Sequence, residues 1–119
     1  MRTAALLAIT MLLPFAAQAD VTGTWTASFD TQVGKQEYTY ELKVDGNALT
    51  GTAKSANGEV ALESGKVDGN TVSFVEKLTF QGMPLVITYT GNVVSDDEIQ
   101  FKRDVAGLVT EDVTARRAK

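Results

Sequence analysis

Residues 35–55 read KQEYTYELKVDGNALTGTAKS, and the pattern in this stretch decides the fold. Tyr38, Tyr40, Leu42 and Val44 fall on one parity, while Thr39, Glu41 and Lys43 fall on the other. Period-two alternation puts successive side chains on opposite faces of an extended chain, the mark of a half-buried β-strand. Val44-Asp45-Gly46-Asn47 interrupts it, and a second run follows from Asn47 to Ser55. Asp-Gly suits a two-residue type I′ turn, in which both central residues need positive φ. The stretch predicts an antiparallel hairpin with one apolar face.

Working outward, the same alternation recurs from Val21 to Phe29, Glu59 to Val67, Asn70 to Phe80, Leu85 to Val94, Glu98 to Val105 and Leu108 to Arg117. With the two segments already described, that makes eight. Val67-Asp68-Gly69-Asn70 repeats the first turn tetrapeptide, and Asn57-Gly58, Gln81-Gly82, Ser95-Asp96-Asp97 and Ala106-Gly107 mark the other reversals. In the Glu59–Val67 segment, Val60 and Leu62 lie on the opposite parity from Gly65 and Val67, which hints at a bulge. No helical period persists after residue 19. The expected fold is therefore all-β, an eight-stranded antiparallel up-and-down β-barrel, because closing a meander removes both sheet edges. An eight-strand sandwich fits the same pattern. A membrane-inserted barrel does not, since Thr39, Glu41, Lys43, Thr50, Thr52 and Lys54 are too polar to face lipid.

The first nineteen residues follow different rules. Met1-Arg2 gives a positive start, Ala4 to Ala17 is almost wholly apolar, and Ala17-Gln18-Ala19 matches a signal-peptidase site. Residues 1–19 are expected to be a cleaved signal peptide and residues 20–119 a single domain, secreted or periplasmic. The chain carries eleven Lys and Arg against fifteen Asp and Glu, a net charge of −4. Loss of Arg2 with the leader would make it −5.

Composition excludes several chemistries. The chain has no Cys and no His, so disulfides, His-ligated metals or haem, and Ser-His or Cys-His catalysis are excluded. The acidic balance argues against nucleic acid and anionic membranes as partners. Asp96-Asp97-Glu98 lacks the spaced oxygen ligands of a Ca²⁺ loop. No metal site and no cofactor are expected.

Gly23-Thr24-Trp25 at the start of the first segment resembles the Gly-x-Trp opening of the calycin superfamily, which includes lipocalins, fatty-acid-binding proteins and avidins. The resemblance implies a barrel in which an Arg or Lys from the last strand packs across the Trp. Arg117 is the match here, sharing a face with Val113 and Ala115, with Arg116 the alternative if the register slips by one. Trp25 and Arg117 are thus expected to have a structural role, as a cation–π pair. The chain from residue 20 also resembles small secreted bacterial β-domains that read Gly-x-Trp, Val-Asp-Gly-Asn-x-Leu-x-Gly, Tyr-Thr-Gly and Ala-x-Arg. Avidins place Asn and Ser biotin ligands after their opening Trp, where this chain has Ala27 and Ser28, so biotin binding is not implied.

Alternation also puts charges on the inward face. Glu76 lies among Val72, Phe74, Leu78 and Phe80, Arg103 among Ile99, Phe101 and Val105, and Glu111 among Val109, Val113 and Ala115. A tight turn at Ala106-Gly107 would set Arg103 nearly opposite Glu111, and a turn near Gly82 would bring Glu76 opposite Tyr89 or its neighbour. Buried charges need partners, so these residues either satisfy one another or surround a polar cavity. The candidate ligand-binding set is Glu76, Tyr89, Arg103 and Glu111, with Tyr38 and Tyr40 as aromatic walls and Gly51, Ala53 and Gly91 leaving room. The plain alternative is an interior ion pair that sets strand register. Met83-Pro84-Leu85 is an apolar turn that plugs a barrel end or marks a contact patch.

The expected function is non-enzymatic binding of a small molecule or a carbohydrate-related partner. An acid–base enzyme using Glu76 with Tyr89 or Arg103, and a protein-interaction or inhibitor module acting through its loops, are the alternatives.

Overall fold

The computed structural model describes residues 19–118, so the expected leader lies outside the described residues apart from Ala19. Nine β-segments follow one another: β1 Gly23–Thr31, β2 Gly34–Asp45, β3 Ala48–Ser55, β4 Gly58–Ala61, β5 Glu63–Asp68, β6 Thr71–Phe80, β7 Met83–Ser95, β8 Glu98–Val105 and β9 Val109–Arg117. Each pairs antiparallel with its sequence neighbours, except that β4 and β5 are two halves of one strand, both lying against β3. Pairing of β1 with both β2 and β9 closes the sheet into an eight-stranded barrel, so the two-sheet sandwich is not formed.

The break between β4 and β5 is a bulge with a local cause. Ala53 faces Val60 in β4 whereas Leu49 faces Gly65 in β5, so strand four holds one residue more than its partner between these pairs. Ser64 takes up the extra residue with a left-handed φ of 54°. The parity flip from Leu62 to Val67 is thereby resolved, and both side chains are buried. A Cβ on Gly65 would lie 2.0 Å from the Leu49 carbonyl oxygen, so only glycine permits this approach.

The hairpins differ from expectation in detail. Asp45 pairs with Ala48, and Asp68 with Thr71, so the turn residues are Gly46-Asn47 and Gly69-Asn70 rather than Asp-Gly. Positive φ occurs at the first turn residue of each, at 65° and 61°, which suits type II′. The turn with positive φ at both positions is Gln81-Gly82. Between β8 and β9 the loop holds three residues, because Val105 pairs with Val109.

Alternation fills the interior as the sequence predicts. Trp25, Tyr40, Leu42, Leu49, Val67, Val72, Phe74, Ile99, Phe101, Val113 and Ala115 form one continuous core. The expected space at the small residues is taken up by neighbours. A Cβ on Gly91 would meet the Phe101 ring at 2.5 Å, and one on Gly51 the Glu41 carbonyl at 1.9 Å. Ala53 is itself buried. Gly91 leaves room for Phe101, not for a ligand.

At one end Trp25 is fixed from two sides. Its Nε1–H donates to the Val21 carbonyl at 2.9 Å, and the Arg117 guanidinium lies 4.5 Å above its ring. Arg117 also donates to the carbonyls of Asp96, Thr22 and Asp20, tying β9 and the segment before β1 to one turn. Arg116 points away and pairs with Glu98 at 2.9 Å. Such a cation–π contact contributes about 0.5–2 kcal/mol depending on its desolvation.

Candidate functional site: a polar layer beneath an apolar bowl

The opposite end of the barrel carries the Gln32-Val33, Ala56-Asn57, Gln81-Gly82 and Ala106–Leu108 loops. Register places the polar residues in one layer below it. Tyr89 on β7 faces Arg103 on β8, and Arg103 faces Glu111 on β9, giving a row across three strands. Glu76 pairs with Ile87 rather than Tyr89, because the β6–β7 turn sits at Gln81-Gly82. Tyr89 pairs with Phe74 instead and reaches Glu76 one same-face step along the strand.

All six candidate residues are connected. Tyr38 donates to Glu76 Oε2 at 2.7 Å and Tyr89 donates to Glu76 Oε1 at 2.9 Å. Arg103 donates from Nε to the Tyr89 hydroxyl (2.9 Å), from one terminal nitrogen to Tyr38 (3.1 Å), and from the other to Glu111 Oε1 (2.7 Å). Tyr40 and Tyr89 hydroxyls lie 2.9 Å apart. Since Tyr89 gives its single hydrogen to Glu76, Tyr40 must be the donor to Tyr89. Arg103 and Glu76 approach only to 3.9 Å, so two phenols bridge their charges.

The hydrogen count bears on the charge state. If Glu76 were protonated it would have to donate to a phenol, and a buried Tyr hydrogen would then have no acceptor. With Glu76 ionised, the hydrogens of Tyr38, Tyr40 and Tyr89 all have acceptors. Burial pushes the Glu76 pKa above its ordinary value, while Tyr38, Arg103 and Tyr89 pull it back. Burial, with Glu76 beside it, raises the Tyr38 phenol to about 12, and burial likewise raises Tyr40 and Tyr89. For Arg103, burial acts to lower the pKa, but Tyr89, Tyr38 and Glu111 outweigh it. Arg103 is also enclosed by the rings of Phe29, Tyr38 and Tyr89, at 5.1, 5.3 and 5.7 Å.

Above this layer is a bowl of about 330 Å³. Leu78, Phe80, Leu85, Ile87, Val105 and Val109 are among its walls, and Arg103 and Glu111 are its charged residues. Val33 and Leu108 stand at the rim, 62% and 83% exposed. Of the six candidates, only Arg103 and Glu111 reach the bowl; Glu76, Tyr89 and Tyr40 are sealed below, and Tyr38 lies beside a cleft on the outer wall. Met83-Pro84-Leu85 is not a turn but the start of β7, paired with Phe80, Thr79 and Leu78; Leu85 lines the bowl, while Met83 remains 64% exposed.

Sequence reasoning missed Phe29 as a cover for Arg103, and it missed the bowl. The signal for the bowl was present: Leu78, Phe80, Leu85, Ile87, Val105 and Val109 share the inward parity at one end of the barrel. Asp97 and Glu98 are engaged with Arg117 and Arg116, at 3.8 and 2.9 Å. No family model, curated protein or solved structure matches this chain.

Proposed function

We propose that this chain is an exported, calycin-type binding barrel that holds one small molecule in the bowl at its loop-bearing end. The bowl supports this reading most directly: apolar walls surround a floor where a hydrogen-bonded ion pair meets the cavity. Small-molecule sites combine apolar lining with a few convergent polar groups, and about 330 Å³ lies at the small end of their range. Gly23-x-Trp25 and the Arg117 stack support the calycin assignment, and the leader-like residues 1–19 support export. The acid–base reading has less support. Glu76 is 2% exposed, and both its oxygens already accept phenolic hydrogens.

Binding is checked with methyl-labelled protein titrated with small ring compounds at millimolar concentration. At least one should move the resonances of Leu78, Leu85, Val105 and Val109, and Leu78→Trp should abolish the response by filling the bowl. If every compound leaves these methyls unmoved, the reading fails.

A further inference from the structure

The bowl's lining contains two charged side chains, and they are not equivalent. Arg103 is 5% exposed, with its guanidinium donating to Tyr89, Tyr38 and Glu111 and enclosed by three aromatic rings. Its charge is directed inward. Glu111 is different: its side chain is 12% exposed, and its Oε1 accepts from Arg103. Among the described residues, its Oε2 accepts nothing from the protein.

Charge arithmetic favours one sign of ligand. Glu76 and Glu111 place two carboxylates around one guanidinium, and the hydrogen pattern at Glu76 suits its ionised form. With Glu76 ionised, the layer under the bowl carries one uncompensated negative charge. In a confined apolar setting such a charge is felt more strongly than in water. The chain's net charge of −4 adds to that bias at longer range. An anion in the bowl would lie beside Glu111 as well as Arg103, which already donates to Tyr89, Tyr38 and Glu111.

We infer that the bowl selects small organic cations, an ammonium or amidinium on an apolar body, with the cationic head on Glu111 Oε2 and the body against Leu78, Leu85, Val105 and Val109. The bowl's volume is that of about eleven liquid waters, at about 30 Å³ each, which suits a single ring or a short branched chain. The uncharged rim groups, Gln32, Gln36 and Asn57 among them, add no competing charge at the entrance. This inference rests on the bowl being a binding site.

The test uses three isosteric probes: cyclohexylmethylamine, cyclohexylmethanol and cyclohexanecarboxylate, each titrated into the protein while the bowl methyls are followed. The amine should bind about tenfold or more tighter than the carboxylate, the scale of one charge-assisted hydrogen bond. Glu111→Gln keeps an acceptor for Arg103 and should remove the amine's advantage over the alcohol. If the carboxylate or the alcohol binds as tightly as the amine at these methyls, cation selection is wrong and the binding reading stands. If no probe moves them, or Leu78→Trp leaves the responses intact, both fail. Should Glu111→Gln unfold, the ranking on the unaltered protein still decides.

Discussion

Glu76 concentrates the energetic tension of the barrel in one side chain. Its burial favours the neutral acid, while Tyr38, Tyr89 and Arg103 favour the carboxylate, and the net displacement is upward from 4.5. A raised carboxyl pKa means that the folded protein holds the proton to higher pH than the unfolded chain does. Between 4.5 and the raised folded value, the native state binds more protons, so stability is lost as pH rises through that window. Glu76→Gln should remove this slope. It should also cost about 1–3 kcal/mol at neutral pH, because an amide NH₂ cannot accept the second phenolic hydrogen. Urea midpoints of the two proteins across acid to neutral pH check both statements. The difference between them isolates Glu76, since the lowered pKa values of Asp20 and Glu98 are common to both. A constant difference at every pH would show that Glu76 does not titrate differently in the folded state.

Among the elements, β1 and β9 make the least regular join. Their register covers Trp25 with Arg117 and Thr26 with Arg116, and the Ala118 amide donates to the Thr24 carbonyl at 2.8 Å. Each hairpin pairs over a longer run, such as the ten register pairs between β6 and β7. An outer-wall cleft lies over this join, with Thr26 and Ser28 on one side and Thr114 and Arg116 on the other. Side chains still seal it from within, because Ala27, Phe29, Val113 and Ala115 are buried. In an antiparallel strand the N–H and C=O of one residue point the same way, so Thr24 and Ala118 identify the residues facing the join. Amides of Ser28, Asp30, Asp112 and Thr114 should exchange faster than those of Ala27, Phe29 and Val113, because local protection follows hydrogen bonding. Amide exchange followed by NMR checks this. Uniform protection along both strands would mean that the join is laddered throughout.

On the scale of the whole molecule, the barrel has two unlike ends. One is closed by Trp25, Arg117 and the segment around Asp20; the other opens into the bowl, where Val33 and Leu108 stand exposed. Ala19 lies at the closed end, where its amide donates to the Gly69 carbonyl at 3.0 Å and its side chain packs on the core. Cleavage after Ala19 would free Asp20 at a point already anchored, since the Asp20 carbonyl accepts from Arg117. The exported protein is expected to begin at Asp20, as read by the intact mass of protein recovered from the periplasm or medium. A mass retaining residues 1–19, or protein confined to the cytoplasm, would contradict the export reading.

Strand number, hairpin order and the inward set were legible from alternation, because period two leaves each side chain only two faces. The bulge was legible for the same reason, as a parity conflict between Leu62 and Val67. That Arg103 lies close to Glu111 could also be read, since register propagates outward from a turn at Ala106-Gly107, and the three-residue loop then makes the two direct partners. Tertiary structure alone decided the rest. Closure of β1 on β9 brings Tyr38 and Glu76 together from strands far apart in sequence, and no local pattern encodes that distance. It also decides which small residues make space and which are filled. Gly91 is occupied because a cross-strand phenyl ring lies over it, whereas the space between Leu78, Leu85, Val105 and Val109 stays open.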